Sequence, residues 1–160
     1  MSVREFMDEL SVFSELTDQE INLLDPLCHV VEGRSGDCII YEGEPVEQLY
    51  ILITGEASVI KDRSDGKQAT IGTVGQDDVL GEMSFFKHTP ATVTIESKTA
   101  YKALAIDQSQ LQRFLEGHPT IGYKVMKKLN RVTSRRLKVM VGFIADHMSA
   151  KEEVYHSGRK

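Results

Sequence analysis

The apolar positions change period twice along the chain. Ile21, Leu23, Leu24 and Leu27 recur at helical intervals behind Thr17-Asp18-Gln19-Glu20. In such a box the threonine hydroxyl accepts from the amide three residues on, and the glutamate returns the bond, so a helix of about ten residues is predicted. From about Val30 the pattern becomes one of short β-rich runs, at 38–41, 49–53, 57–61, 69–73, 92–96 and 101–106. Turn residues punctuate them roughly every eight to twelve positions: Gly33/Gly36, Gly43/Pro45, Gly55, Asp65-Gly66, Gly72/Gly75, Gly81 and Pro90. Short strands at such regular spacing predict an all-β sandwich or barrel. Asp65-Gly66, between Val59-Ile60 and Thr70-Ile71, is the clearest hairpin signal.

Helical spacing returns after Asp107. Ser109 to Leu115 reads as a short helix stopped near Gly117-His118-Pro119, because the residue before a proline is pushed out of the α region. A longer helix follows from about Thr120 to His147. Val125, Leu129, Val132, Val139 and Phe143 form a near-heptad seam that Arg136 interrupts, and Met126, Leu137, Met140 and Ile144 form a second row. A stripe this wide can cover the β region with one flank and a partner helix with the other, which predicts a two-fold homodimer. The plainer alternative is that the whole stripe packs on its own chain. The expected organisation is a single domain over 1–160: N-terminal helices at 1–29, a β-roll at 30–107, C-terminal helices at 108–148 and a polar tail at 149–160.

Composition narrows the functional classes. With 160 residues, 41% of them hydrophobic and 27% charged, the chain can fold around a core of its own. Its net charge of −5 repels polyanions. The segment between Gly117 and Ala145 nevertheless carries Lys124, Lys127, Lys128, Arg131, Arg135, Arg136 and Lys138 with no acidic residue. Such a helix could touch nucleic acid or an acidic surface, or simply be a solvated face countercharged by the rest of the chain. No apolar run is long enough to span a membrane, and the first ten residues are too charged for a signal peptide, so a cytoplasmic protein is expected. Cys28 and Cys38 form no metal-binding pattern and are expected to be inert thiols. No nucleophile elbow, zinc-protease motif or phosphate loop is present, and the five histidines lack i, i+4 spacing, so no enzyme activity is expected.

The chemistry concentrates between Gly75 and Ile95. Gly81-Glu82 followed by small and apolar residues can form a tight turn whose amides bind an anion, with the carboxylate beside it free to accept from sugar hydroxyls. A loop with a surface glutamate is the alternative.

These residues resemble the cyclic nucleotide-binding domain, the effector module of catabolite-activator-like regulators, cyclic-nucleotide-dependent kinases and gated channels. The resemblance covers nearly the whole chain. It is carried by Gly36-Asp37, Glu42-Gly43-Glu44-Pro45, Leu49-Tyr50-Ile51-Leu52, Gly55 and, above all, Gly81-Glu82-Met83-Ser84-Phe85-Phe86 with Thr89-Pro90. It implies a double-stranded β-helix, or jelly roll, with flanking helices and a long C-terminal helix. It further implies a phosphate-binding cassette at 81–95 and a cyclic nucleotide, cAMP or cGMP, or a related small anion as effector. Carried over by position, Glu82 would hold the ribose, the amides of Met83 and Ser84 would help hold the phosphate, and Thr92 would offer a hydroxyl, with Gly81 among the candidate ligand-binding residues.

The family's cassette arginine falls on Ala91. A charge-assisted bond to phosphate is worth roughly 1.5–3 kcal/mol, so its loss implies binding weakened about tenfold or more. Lys87 or His88 could supply a point charge instead. Thr133 and Ser134 are similar to the hydroxyls that reach the adenine across the dimer in the catabolite activator. Hydroxyls in mid-helix also bond back to the preceding turn or face solvent. With 13 residues after His147, no DNA-binding domain is expected to follow. Two functions stay open at this point: a stand-alone regulatory module signalling to a downstream protein through its last helix, or a dimeric adaptor whose pocket has degenerated. A basic helix contacting nucleic acid is the third.

Overall fold

Strand alternation decides the architecture. In the computed structural model, which describes residues 1–149, eight strands form two four-stranded sheets and helices cover one of them. The strands are β1 (Cys28–Gly33), β2 (Cys38–Ile40), β3 (Gln48–Thr54), β4 (Ala57–Asp62), β5 (Gln68–Val74), β6 (Val79–Leu80), β7 (Thr94–Ser97) and β8 (Tyr101–Asp107). The first sheet runs β1-β8-β3-β6 and the second β2-β7-β4-β5, with every pairing antiparallel.

The centre of the first sheet is apolar on both faces. Leu49, Ile51 and Ile53 of β3 join a core beneath the helices, whereas Leu52 joins a core between the sheets; on β8, Leu104 and Ile106 are separated from Ala103 in the same way. Successive strand residues point to opposite faces, so an uninterrupted apolar run is what a strand covered on both sides requires.

The helices are α1 (Val3–Glu9), α2 (Asp18–Leu24), α3 (Gln108–Gly117) and α4 (Pro119–His147). The box read at Thr17 is formed in both directions, Glu20 N donating to Thr17 Oγ1 at 3.3 Å and Thr17 N to Glu20 Oε2 at 2.8 Å. Pro26 then converts the end of this segment to a 3-10 turn, Asp25–Leu27, because proline brings no amide to continue the α pattern. The strands start at Cys28, two residues before the expected 30. Three elements escaped the periodicity: β1 matches none of the predicted β-rich runs, β6 has only two residues, and α1 is a single seven-residue stretch held by the same kind of box, Ser2 with Glu5. The hairpin at Asp65-Gly66 is formed, with Arg63 N donating to Lys67 O at 2.7 Å and Gly66 at φ 80°.

α3 and α4 meet at Gly117-His118-Pro119 as expected, Pro119 supplying the first helical position. In its first half α4 buries Ile121, Gly122, Val125 and Leu129 against α3 and the 3-10 turn Ser11–Phe13. Ile121, Val125 and Leu129 each contribute roughly 1.5–3 kcal/mol when removed from water. Ion pairs line this contact, Lys124 to Glu20 at 2.7 Å and Lys127 to Glu15 at 2.5 Å. Beyond Val132 the stripe is uncovered, with Leu137, Val139, Met140 and Phe143 exposed. Among the described residues no helix is long and apolar enough to cross a membrane. The polar tail expected at 149–160 lies, from 150 on, outside the described residues.

Candidate functional site

β6 ends at Leu80, and the chain turns sharply at Gly81 with φ 86°, in the left-handed region where a side chain is costly. α3 holds this turn in place. Gln108, 1% exposed, donates from Nε2 to Gly81 O at 2.9 Å and Gln48 O at 3.3 Å, while its amide donates to Glu47 O at 2.9 Å. One buried amide thus joins the start of the turn, β3 and the start of α3.

Glu82, Met83 and Ser84 then make one turn of 3-10 helix. The Glu82 side chain is only 7% exposed, and its Oε1 accepts from Arg136 Nη1 at 2.6 Å. Arg136 Nη2 also lies 3.4 Å from Asp78 Oδ1, while Asp78 Oδ2 accepts from Gly75 N at 2.8 Å to close the preceding turn. The candidate sugar-holding carboxylate is therefore tied to α4 across 54 positions of sequence.

The other residues expected at the site are placed unequally. The Ser84 side chain is buried, and its amide donates to Gly81 O at 3.3 Å. Met83 is exposed, and its sulfur lies 3.6 Å from Thr92 Oγ1. Ala91 is not at the surface: it belongs to the core between the sheets, with its amide donating to Glu44 O and its carbonyl accepting from Gly43 N. Thr92 lies before β7, not within a strand, and its carbonyl accepts from Lys61 Nζ at 2.9 Å. Lys61 also pairs with Glu42, whose carboxyl is held below the usual range first by the Asp62 amide and then by this ammonium. The exposed tip carries two left-handed residues that are not glycine, Phe86 at φ 72° and His88 at φ 49°.

On α4 the Thr133 hydroxyl donates to Leu129 O at 3.1 Å, within its own helix, and both Thr133 and Ser134 are exposed. Five of the seven cations of the basic run are countercharged internally: Lys124 by Glu20, Lys127, Lys128 and Arg131 by Glu15, and Arg136 by Glu82 and Asp78. Two clefts, of about 190 and 390 Å³, share Pro45, Val46 and Glu47 in their lining, and neither is lined by Glu82.

Sequence reading did not find Arg136, Asp78 or Gln108. Arg136 had a signal: it breaks the apolar stripe of Leu129, Val132 and Val139, and a guanidinium in a seam needs an acidic partner. Asp78 and Gln108 had none, since their partners are backbone groups and a residue distant in sequence.

The residues present fit a sugar phosphate in part. A carboxylate stands on a tight turn beside an exposed loop, and the cation next to it comes from α4, not from position 91. The family described as the cyclic nucleotide-binding domain matches residues 30–118. The chain is 28% identical over 144 residues to the CRP-like cAMP-activated global transcriptional regulator of Mycobacterium tuberculosis, covering 88% of this chain and 62% of that protein. It thus spans less than two thirds of the curated relative. Among solved structures it resembles a cyclic nucleotide-binding domain from Methylobacillus flagellatus KT, with a TM-score of 0.82 at 22% identity over 96% of this chain and 85% of that one. It also resembles the N-terminal domain of a transcriptional regulator from Streptomyces coelicolor A3(2), with a TM-score of 0.66 at 27% identity over 90% and 97% of the two chains.

Proposed function

The chain belongs to the cyclic nucleotide-binding domain family, and from that premise we propose that it is a cytoplasmic regulatory module, not an enzyme. It binds a cyclic nucleotide, cAMP or cGMP, or a related small anion on the cassette at 81–95, and signals by moving α4. The observation that carries this reading is the position of Glu82: a carboxylate fixed by the Gly81 turn at one end and joined to the long helix at the other. A ligand that engages Glu82 has different contacts in different positions of α4, and only such a difference lets binding shift a conformational equilibrium. The exposed Leu137, Val139, Met140 and Phe143 then form the contact with a second copy, and the partner downstream is a protein that reads the helix.

Isothermal titration with cAMP and with cGMP tests it. The expected result is saturable heat for one of them at micromolar to millimolar ligand, and no heat with either at millimolar concentration overturns the nucleotide assignment.

A second reading has its own observation. Ala91 is buried in the core where the resemblance puts an arginine, and Glu82 already has a partner, which suits a dimeric adaptor that binds no nucleotide. Melting with and without a nucleotide panel separates the two, because a ligand that binds only the folded state raises its stability.

A further inference from the structure

We propose that the groove formed by the two adjoining clefts is a docking site for an arginine-bearing segment of a partner protein. Glu44, Glu47 and Asp107 line it, and apart from His88 no basic residue does among the described residues. The ion pairs of the described residues leave out all three carboxylates. Asp107 caps α3 through Oδ1, which accepts from Gln110 N at 2.8 Å, and its Oδ2 is left over. Acidic walls alone attract any cation, but Gln108 adds a second observation. It is 1% exposed and lines the larger cleft. Its Nε2 donates to Gly81 O and Gln48 O, and these two carbonyls fix which arm of the amide is nitrogen, since an oxygen there would face two oxygens. Oε1, on the other arm, is buried and has no partner among the described residues. Gln48, on the smaller cleft, has a buried Oε1 in the same condition. Buried polar groups are nearly always paired, so two orphaned acceptors beside three unpaired carboxylates point to donors from outside.

The chemistry selects a guanidinium. It carries five N–H donors and no acceptor, in a flat fork that meets carboxylates and an amide oxygen together, whereas an ammonium is a point charge. Tyr41 and Tyr50 on the smaller cleft offer ring faces on which such a plane stacks. The clefts, of about 190 and 390 Å³, join through Pro45, Val46 and Glu47. That elongated shape suits an extended peptide, with an arginine in the larger cleft and a neighbouring residue against Tyr41. The groove is also joined to the cassette: Gln108 holds the carbonyl of Gly81, so a partner seated there touches the residue that fixes the Glu82 turn. Neither Glu82 nor Arg136 lines it, and the site stands whether or not Glu82 holds a nucleotide.

The experiment titrates the full chain by calorimetry with a short capped peptide rich in arginine, with its lysine and glutamate counterparts, and with spermine. The arginine peptide is expected to bind, the lysine peptide and spermine about tenfold more weakly, and the glutamate peptide not at all. E47Q/D107N is near-isosteric, and asparagine still caps α3. It should weaken the arginine peptide roughly ten- to a hundredfold, as for lost charge-assisted bonds. E9Q/E116Q, which removes the same charge near the ends of α1 and α3, should change it less than about twofold. Thermal melts establish that each variant is folded, and the side-chain amide resonances of Gln108 and Gln48 should move on titration of the wild type, a readout independent of any variant. No binding of the arginine peptide at millimolar concentration overturns the docking site. So does equal weakening in both double variants, or glutamine resonances that stay in place, either of which assigns the attraction to the net charge of −5 alone. Lysine peptide or spermine binding as tightly as the arginine peptide overturns arginine as the occupant.

Discussion

A Cβ on Gly81 would stand 2.8 Å from the carbonyl oxygen of Gln48 and 3.0 Å from Val46 Cγ1. The position needs both the left-handed backbone and the absence of a side chain. G81A is expected to lose about 1–3 kcal/mol of stability and, with the turn displaced from Gln108, to weaken ligand binding at Glu82. Urea denaturation measures the first and titration calorimetry the second; a G81A protein with wild-type midpoint and affinity would show that the turn relaxes freely.

Ala91 gives two opposed expectations. Arginine there supplies a cassette guanidinium, which should tighten nucleotide binding about tenfold or more, but it enters the inter-sheet core beside Ile40, Val46 and Ile95. Overpacking costs about 1–3 kcal/mol. A91R should therefore have a lower denaturation midpoint together with a higher affinity, and unchanged affinity would mean that position 91 does not face the ligand.

Acid should release α4. Glu20 is held below the usual carboxylate range by Lys124 first and by the Thr17 amide next, and Glu15 by Lys127 and then Lys128. For a carboxylate whose folded pKa is depressed, the stabilisation is fully present above the unfolded value, 4.5, and is lost as pH falls through the folded one. The melting temperature should drop steeply below about pH 4.5, and the double variant E15Q/E20Q should flatten that slope. An unchanged slope would assign the acid sensitivity to other groups.

Cys28 is expected to resist alkylation. Burial pushes its thiol up to about 12, with the nearby Asp25 charge adding to the effect, so almost no thiolate exists near neutrality. Burial also raises the Cys38 thiol, but less completely, since that residue is part-exposed. Iodoacetamide at pH 8 should label Cys38 slowly and Cys28 only on unfolding, as read by mass spectrometry; rapid labelling of Cys28 in the native protein would contradict its placement.

The outer half of α4 predicts self-association. Val139 and Phe143 are 69% and 63% exposed, so replacing both with serine should change monomer stability by no more than about 0.5 kcal/mol each. Sedimentation should find a dimer in the wild type and a monomer in V139S/F143S. A monomeric wild type would remove the dimer from the functional proposal.

Much of this molecule could be read from its residues, and what could not has physical causes. Thr17 with Glu20, Asp65-Gly66 and the proline after His118 act within a few positions, so their signals are local and legible. α1 and β6 are too short to show a period. The N-terminal half of the α4 stripe and its exposed continuation have the same sequence pattern, because apolar spacing says which side of a helix is greasy and not what covers it. Glu82 was visible from the turn it sits on, whereas its bond to Arg136 depends on where a helix 54 positions later comes to lie.

Among the described residues, α4 buries side chains in the core only in its first half. The 18 residues from Asn130 to His147 extend about 27 Å at 1.5 Å per residue, beyond the last fully buried side chain, Leu129. The chain is thus built like a cantilever clamped at one end with a bracket at Arg136. A tilt of about 5° at the clamp displaces the far tip by about 2 Å, on the scale of one-third of a helical turn. A sub-ångström change around Glu82 is enough to be felt at the other end of the beam.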